Sequence, residues 1–158
     1  MFKLFKKKEE NIQVFAPVNG KFIQLEDVPD EMFALMGKGC AFVYEDDVVH
    51  APCDGEITML ANTLHAFGIK AKNGAEILVH IGMDTVNFNG KGFKANIKQG
   101  DYVKANDPII TIDRQFMKDN HADLTTPVIV TNPKDFDITI NDLSEVKLND
   151  TVMSIKSK

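Results

Sequence analysis

Residues 63–86 read TLHAFGIKAKNGAEILVHIGMDTV and contain the feature that decides the fold, a predicted β-hairpin. Asn73-Gly74 lies midway between two segments of alternating apolar residues. Asn-Gly is the strongest short-range hairpin signal, because both central residues of a type I′ turn need a positive φ. The sequence therefore predicts a two-residue turn that pairs Lys72 with Ala75.

The register of this hairpin brings two histidines together. Side chains alternate across a strand, so the further pairs follow by counting outward from the turn. These pairs are Ile69–Leu78, Phe67–His80 and His65–Gly82. His65 and His80 become diagonal neighbours, whose Cα atoms lie roughly 7–8 Å apart. The β-branched residues at 77, 79 and 81 face the core, which leaves His80 on the exposed face beside Phe67 and Leu78.

The composition is that of one globular domain. The chain has 158 residues, of which 44% are hydrophobic and 26% are charged, and this length allows a sizeable core. A net charge of -5 argues against a general nucleic-acid-binding protein, which needs a basic surface. Cys40 and Cys53 lack the spacing of a metal or redox motif, and no secretory signal precedes them, so we expect a cytoplasmic protein.

The first residues differ in character from the rest. Phe2, Leu4 and Phe5 are interleaved with four lysines over residues 2–8. This pattern is compatible with weak contact to an anionic membrane surface, whereas a frayed, solubilising terminus is the simpler interpretation. We therefore divide the chain into a short basic arm, residues 1–12, and a single domain, residues 13–158.

The remaining sequence predicts an all-β, antiparallel sandwich or barrel. Turn signals recur roughly every eight to twelve residues, and long helical periodicity is absent. Short helices are predicted only at residues 30–36 and 114–120. The segment APVNGK at 16–21 returns as APCDGE at 51–56, and VKAND at 103–107 returns as VKLND at 146–150. These echoes predict an internally duplicated architecture.

The two histidines carry the candidate chemistry, because imidazole is both a nucleophile and a ligand near neutral pH. Gly82 removes side-chain bulk opposite His65 and leaves its backbone carbonyl accessible. Such a carbonyl, or a carboxylate such as that of Asp84, can hold one ring nitrogen and fix the tautomer. Thr63 lies two residues before His65, where its hydroxyl would orient that ring.

Two other functions fit parts of the same pattern. His80 and Asp84, with His65 or His50, supply plausible ligands for a zinc hydrolase of the barrel-like metallopeptidase type, although no glutamate motif offers a general base. The repeated turns are also typical of biotinyl and lipoyl carrier modules, which present a lysine at a hairpin tip. The best candidate tip here is Asn73-Gly74.

Several segments together match a known family. They are EDVPD at 26–30 followed by Phe33, AP and DG within 51–55, Thr63 with HAF at 65–67, VHIGMDTV at 79–86, and TPV at 126–128. The match covers nearly the whole chain, from about Phe15 to Ile155, and the separation of HAF from VHIGMDTV is highly specific. On these residues the sequence resembles the glucose-type enzyme IIA family of the bacterial phosphoenolpyruvate-dependent sugar phosphotransferase system. The resemblance implies a β-sandwich of the duplicated hybrid motif type.

The resemblance implies a phosphotransferase component that carries a phosphohistidine. His80 would accept a phosphoryl group on Nε2 from the phosphocarrier protein HPr and pass it to a cysteine of a sugar-specific enzyme IIB. The Gly82 carbonyl would hold the Nδ1 proton of His80. His65 would hydrogen-bond the phosphoryl group, and Thr63 would support His65. Phosphoryl transfer is mostly positioning and charge stabilisation, so these groups suffice without a cofactor.

The resemblance also implies a partner-binding surface around His80. Asp30 and Asp84 would engage arginines of partner proteins, and an apolar ring would exclude water from the phosphohistidine. The ring residues are Phe33, Phe67, Leu78 and Val86. No metal is implied, although His65 and His80 can capture zinc adventitiously or at a partner interface. Some relatives also dock regulatory targets, and the sugar is specified by the permease and its enzyme IIB.

Overall fold

The computed structural model describes residues 11–158, and the basic segment at 2–8 lies outside them. The described residues form fourteen strands, two α-helices and short 3-10 segments. The strands are β1 (Asn11–Phe15), β2 (Gly20–Gln24), β3 (Lys38–Tyr44), β4 (Val48–His50), β5 (Gly55–Leu60), β6 (Ala66–Lys70), β7 (Glu76–His80), β8 (Phe93–Ala95), β9 (Tyr102–Val103), β10 (Pro108–Ile112), β11 (Thr126–Val130), β12 (Phe136–Ile140), β13 (Glu145–Val146) and β14 (Thr151–Ser157). The helices are α1 (Met32–Met36) and α2 (Arg114–Asp119), close to the predicted positions.

The strands pair into three antiparallel sheets within residues 11–158. The largest has eight strands in the order β13-β2-β3-β11-β7-β6-β5-β9, and the others have the orders β1-β14-β12 and β4-β10-β8. Fully buried residues such as Val14, Ile57 and Ile110 belong to one main core. The predicted all-β, antiparallel sandwich is therefore confirmed. Among these residues, no helix has the length and apolar character needed to cross a membrane.

The predicted duplication is visible first where the two AP segments meet. The backbone amide of Phe15 donates to the carbonyl of Pro52 at 2.8 Å, and that of His50 donates to the carbonyl of Pro17 at 3.0 Å. These donors and acceptors occupy equivalent positions of the two repeats. The repeats thus hydrogen-bond to each other reciprocally, as the halves of a pseudo-symmetric unit do.

The second repeated segment forms the same turn twice. The amide of Lys104 donates to the carboxylate of Asp107 at 2.9 Å, and the amide of Lys147 donates to that of Asp150 at 2.8 Å. Each turn leads into a long central strand, β10 in one half and β14 in the other. An aspartate that accepts from a nearby backbone amide stabilises such a turn, so the sequence echo reflects a shared local structure.

The hairpin between β6 and β7 forms, but its turn differs from the predicted one. Ala71, rather than Lys72, pairs with Ala75: the Ala71 amide donates to the Ala75 carbonyl at 2.9 Å, and the Gly74 amide donates to Ala71 at 2.9 Å. Gly74 has a φ of 90°, whereas Asn73 is not among the residues with positive φ. The loop therefore has three residues and ends on a glycine bulge, which is the next most common hairpin connection after the two-residue turn.

The longer loop shifts every predicted pair by one residue. The observed pairs are Ala66–His80, Phe67–Val79, Gly68–Leu78 and Ile69–Ile77. The prediction that Phe67 lies opposite His80 on the exposed face is therefore wrong, because a shift of one residue moves a side chain to the other face. Phe67 is 0% exposed and belongs to the core. It cannot contact a partner, and Leu78 keeps its predicted place beside His80.

Candidate active site

His80 lies at the end of β7, where a backbone carbonyl holds one of its ring nitrogens. Its Nδ1 lies 2.9 Å from the backbone carbonyl oxygen of Gly82, the contact that the sequence predicted, and its side chain is half-buried. A carbonyl oxygen only accepts hydrogen bonds, so Nδ1 must carry the proton. In the neutral ring, Nε2 then keeps its lone pair and is the nitrogen available for chemistry.

Gly82 is required for a reason other than the predicted one. Its φ is 90°, and a Cβ there would lie 2.5 Å from Cγ2 of Thr85 and 2.9 Å from the carbonyl oxygen of Asp123. A side chain is disfavoured both by this backbone conformation and by the crowding. In the observed register, His65 no longer lies opposite Gly82: its carbonyl accepts from the amide of Ile81 at 2.6 Å.

His65 reaches His80 through an irregular segment rather than through regular pairing. Leu64 has a φ of 61° and turns the chain just before β6 begins. The ring centroids of His65 and His80 are 4.9 Å apart, with an interplanar angle of 79°. Thr63 Oγ1 lies 2.6 Å from His65 Nδ1. The predicted association of these three side chains is therefore present, although the strand count that suggested it was wrong.

Both imidazoles are biased towards their neutral forms. Burial lowers the pKa of His65 below its ordinary value of 6.5. Burial and the neighbouring His65 also lower the pKa of His80, against the opposing influence of the Gly82 hydrogen bond and Asp30. Desolvation disfavours a charged ring. At neutral pH, His80 thus presents an unprotonated Nε2.

We expect an NMR titration of His80 to give a pKa below 6.5. Because the folded state disfavours the protonated ring, the ring's contribution to the free energy of unfolding is complete above pH 6.5 and decreases as acid is added. A His80→Gln sample assigns the resonance, and a midpoint above 6.5 would contradict the burial argument.

Of the apolar residues expected to form a rim around His80, Phe33 is the one seen in contact with its ring. Phe33 packs edge-on against it, with ring centroids 4.8 Å apart, and is 7% exposed. Val86 is 45% exposed, and Leu78 is half-buried on the strand face of His80. Three exposed residues of α1 were not in the predicted set: Met32, Leu35 and Met36. Phe33 is the one buried residue of this helix, so its other long apolar side chains remain at the surface.

The two predicted carboxylates lie beside one depression of about 550 Å³, which is lined by Pro29, Asp30, Glu31, Met32, Leu35, Met83 and Asp84. The Asp30 carboxylate accepts from the amide of Met32 at 2.9 Å and so begins α1. Asp84 has a φ of 59° and precedes the 3-10 segment Thr85–Phe88. Backbone turns, rather than an extended strand, therefore bring both carboxylates to this surface.

The structure separates His50 from the other ligands predicted for a zinc hydrolase. His50 lies in a different sheet from His80, and its Nδ1 is 3.1 Å from the carbonyl oxygen of Pro17. Within residues 11–158, no three His, Cys, Asp or Glu side chains are grouped so as to hold a metal ion. The hairpin tip of the proposed carrier module is tied down, because Asn73 Nδ2 donates to the carbonyl of Ile155 at 3.1 Å.

Comparisons with known proteins agree on one family. A family model described as phosphoenolpyruvate-dependent sugar phosphotransferase system, EIIA 1, matches residues 12–136. The chain is 41% identical over 135 residues to the PTS system glucose-specific EIIA component of Staphylococcus epidermidis, covering 82% of this chain and 81% of the relative. It is 46% identical over 121 residues to that component of Halalkalibacterium halodurans, covering 75% and 70%.

The fold matches a solved structure over almost its full length. Glucose permease IIA from Mycoplasma capricolum superposes with a TM-score of 0.84 and 37% sequence identity, covering 98% of this chain and 99% of that one. Neither the hydrolase nor the biotinyl or lipoyl alternative gains support from these matches. The chain therefore belongs to the EIIA 1 family of the phosphoenolpyruvate-dependent sugar phosphotransferase system and is a phosphocarrier of that system.

Proposed function

We propose that Nε2 of His80 is the atom that carries the phosphoryl group. The observation that carries this proposal is the 2.9 Å contact between His80 Nδ1 and the Gly82 carbonyl, which leaves the Nε2 lone pair free. Acceptance forms a P–N bond at Nε2 while the bond between phosphorus and the donor nitrogen breaks. The donor is phosphorylated HPr, whose role follows from membership of the family.

His65 is proposed to stabilise the phosphoryl group on its neighbour. Its Nδ1 lies 2.6 Å from Thr63 Oγ1, which is a partner able either to donate or to accept. When the hydroxyl donates to Nδ1, the neutral ring must carry its proton on Nε2. An N–H at that position can donate to a phosphoryl oxygen, since the two rings are neighbours. A preorganised donor of this kind stabilises charge as it develops during transfer.

The surface around His80 fits partners with a basic rim and an apolar centre. Asp30 and Asp84 place negative charge beside the rim formed by Phe33, Leu78 and Val86. Complementary charge accelerates encounter, and an apolar contact excludes the water that would hydrolyse the phosphohistidine. We add Met32 and Leu35 to this docking surface, because both are exposed next to Asp30. Phe67 is excluded from it by its burial.

The onward step is proposed to be transfer to a cysteine of enzyme IIB. The thiolate attacks phosphorus, a P–S bond forms, and the P–N bond to His80 breaks, which returns the lone pair to Nε2. His80 is thus regenerated in each cycle, which makes the chain a phosphotransferase component rather than a hydrolase. The two free, buried cysteines of this chain fit a reducing compartment, and we propose that it works in the cytoplasm.

A reconstituted relay tests this function. The chain is incubated with phosphoenolpyruvate, enzyme I and HPr, and its intact mass is measured. We expect one acid-labile phosphoryl group, and then its loss when an enzyme IIB domain is added with the resulting gain on that domain. Omitting HPr is the control for direct phosphorylation by enzyme I. Failure to gain mass in the complete mixture would overturn the proposed donor.

A further inference from the structure

Thr85 is a buried polar residue that neither the motif analysis nor the proposed relay explains. It is 0% exposed and lies three residues after Gly82. Its Oγ1 donates to the backbone carbonyl of Ile81 at 2.5 Å. We propose that Thr85 is a positioning residue for His80, whose hydroxyl fixes the peptide that aims the Gly82 carbonyl at Nδ1. The proposal rests on the proposed role of His80.

The peptide group between Ile81 and Gly82 is anchored at both ends. Its carbonyl, that of Ile81, accepts the hydroxyl of Thr85. Its amide, that of Gly82, donates to the carbonyl of Thr125 at 3.0 Å. A peptide group is planar, so two hydrogen bonds on opposite edges fix its orientation.

The next peptide group is the one that faces the histidine. Its carbonyl, that of Gly82, accepts from His80 Nδ1 at 2.9 Å. Its amide, that of Met83, donates to the carbonyl of Asp123 at 2.8 Å. The orientation of this group depends on the preceding peptide through the torsion angles of Gly82. Glycine has no Cβ to restrict those angles, so the hydrogen bonds around it must supply the restriction.

Thr85 differs from the other anchors in being a side chain. The Thr125 and Asp123 contacts come from the backbone, whereas the Thr85 hydroxyl can be removed by substitution. Ile81 also connects to the second histidine, because its amide donates to the His65 carbonyl at 2.6 Å. Loss of the hydroxyl would leave the buried Ile81 carbonyl without this donor, and only the Thr125 contact at the amide would then limit rotation of the peptide.

Rotation of that peptide would change the chemistry of His80. When the Gly82 carbonyl moves away from Nδ1, the proton is no longer held on that nitrogen and distributes over both ring nitrogens. A smaller fraction of molecules then offers the Nε2 lone pair. Loss of a hydrogen bond of ordinary strength changes the ratio of the two tautomers by about fivefold to tenfold.

Two matched variants separate the effect of losing the Thr85 hydroxyl from the effect of changed packing. Thr85→Ser and Thr85→Ala both lose the γ-methyl group, and they differ from each other only in the hydroxyl. The tautomer of His80 is read from its ring nitrogen-15 shifts at a pH above 6.5. We expect Thr85→Ser to keep the proton on Nδ1 as the parent chain does. Thr85→Ala should show mixed tautomers and accept phosphoryl from HPr about fivefold to tenfold more slowly.

The outcomes distinguish this proposal from the proposed function. Equal tautomer populations in Thr85→Ala and Thr85→Ser would overturn the positioning role, and this measurement needs no partner protein. Failure of the parent chain to accept a phosphoryl group would overturn the function instead. If Thr85→Ala does not fold, Thr85→Val keeps the side-chain volume and carries the same expectation of mixed tautomers.

Discussion

His80→Ala is expected to abolish phosphorylation of the chain in the reconstituted relay. The substitution removes Nε2, the atom on which we propose that the P–N bond forms, so no mass gain should be detectable. His65 does not substitute for it, because its ring is oriented by Thr63 rather than by a carbonyl that would hold the proton on Nδ1. Removing a nucleophile that forms a covalent intermediate eliminates the reaction rather than slowing it.

A histidine outside the site provides the control for this experiment. His121 is exposed after α2 and has a φ of 55°, so His121→Asn keeps a residue that tolerates this conformation. It should be phosphorylated at the rate of the parent chain. The intact fold of His80→Ala is checked by thermal unfolding. Phosphorylation of folded His80→Ala to the normal extent would show that another residue carries the group.

The fold class followed from sequence because its signals are local and repeated. Turn residues punctuate the strands, and the two echoes reappear as equivalent turns ending at Asp107 and Asp150. The register of the β6–β7 hairpin could not be predicted from the sequence, because Asn-Gly is compatible with both two-residue and three-residue loops. Which loop forms depends on packing of the flanking strands. Burial of Phe67 beside Val79 satisfies the core only with the longer loop.

The contacts among the candidate site residues were predicted better than the backbone geometry that produces them. His65, His80, Thr63 and the Gly82 carbonyl are all in contact as expected. Their association depends on positive φ angles at Leu64 and Gly82, which interrupt the strands. Strand counting assumes a regular pleat and cannot anticipate such interruptions at a non-glycine residue. The family motif named these neighbouring residues without any strand count, because a motif does not depend on a regular pleat.

The docking surface was the part predicted least well from sequence. Phenylalanines at 33 and 67 look equivalent in a hydrophobicity pattern, yet Phe33 packs against His80 and Phe67 lies in the core. The exposed residues of α1 were missed because a five-residue helix has too little length to show periodicity. Exposure of Leu35 at 79% follows from the tertiary position of α1, which buries Phe33 and leaves Leu35 on the opposite, solvent-facing side.

His65→Ala is expected to leave phosphoryl acceptance nearly intact while slowing transfer to enzyme IIB by about 100-fold. The asymmetry follows from the charge of the attacking group. In acceptance, the nucleophile is the neutral Nε2 of His80, which approaches an anionic phosphoryl group without repulsion. In the onward step the nucleophile is a thiolate, so two negative groups meet. The donor on His65 is then needed to draw charge from the phosphoryl oxygens.

Single-turnover measurements separate the two steps for this variant. The chain is first phosphorylated and isolated, and enzyme IIB is then added while transfer is followed by intact mass. His65→Gln retains an N–H donor and should recover part of the onward rate, whereas His65→Ala should not. Loss of acceptance in His65→Ala as complete as in His80→Ala would mean that both rings are needed to receive the group. An unchanged onward rate would mean that His65 does not stabilise the phosphoryl group, since thiolate attack is the step that most requires a donor beside Nε2 of His80.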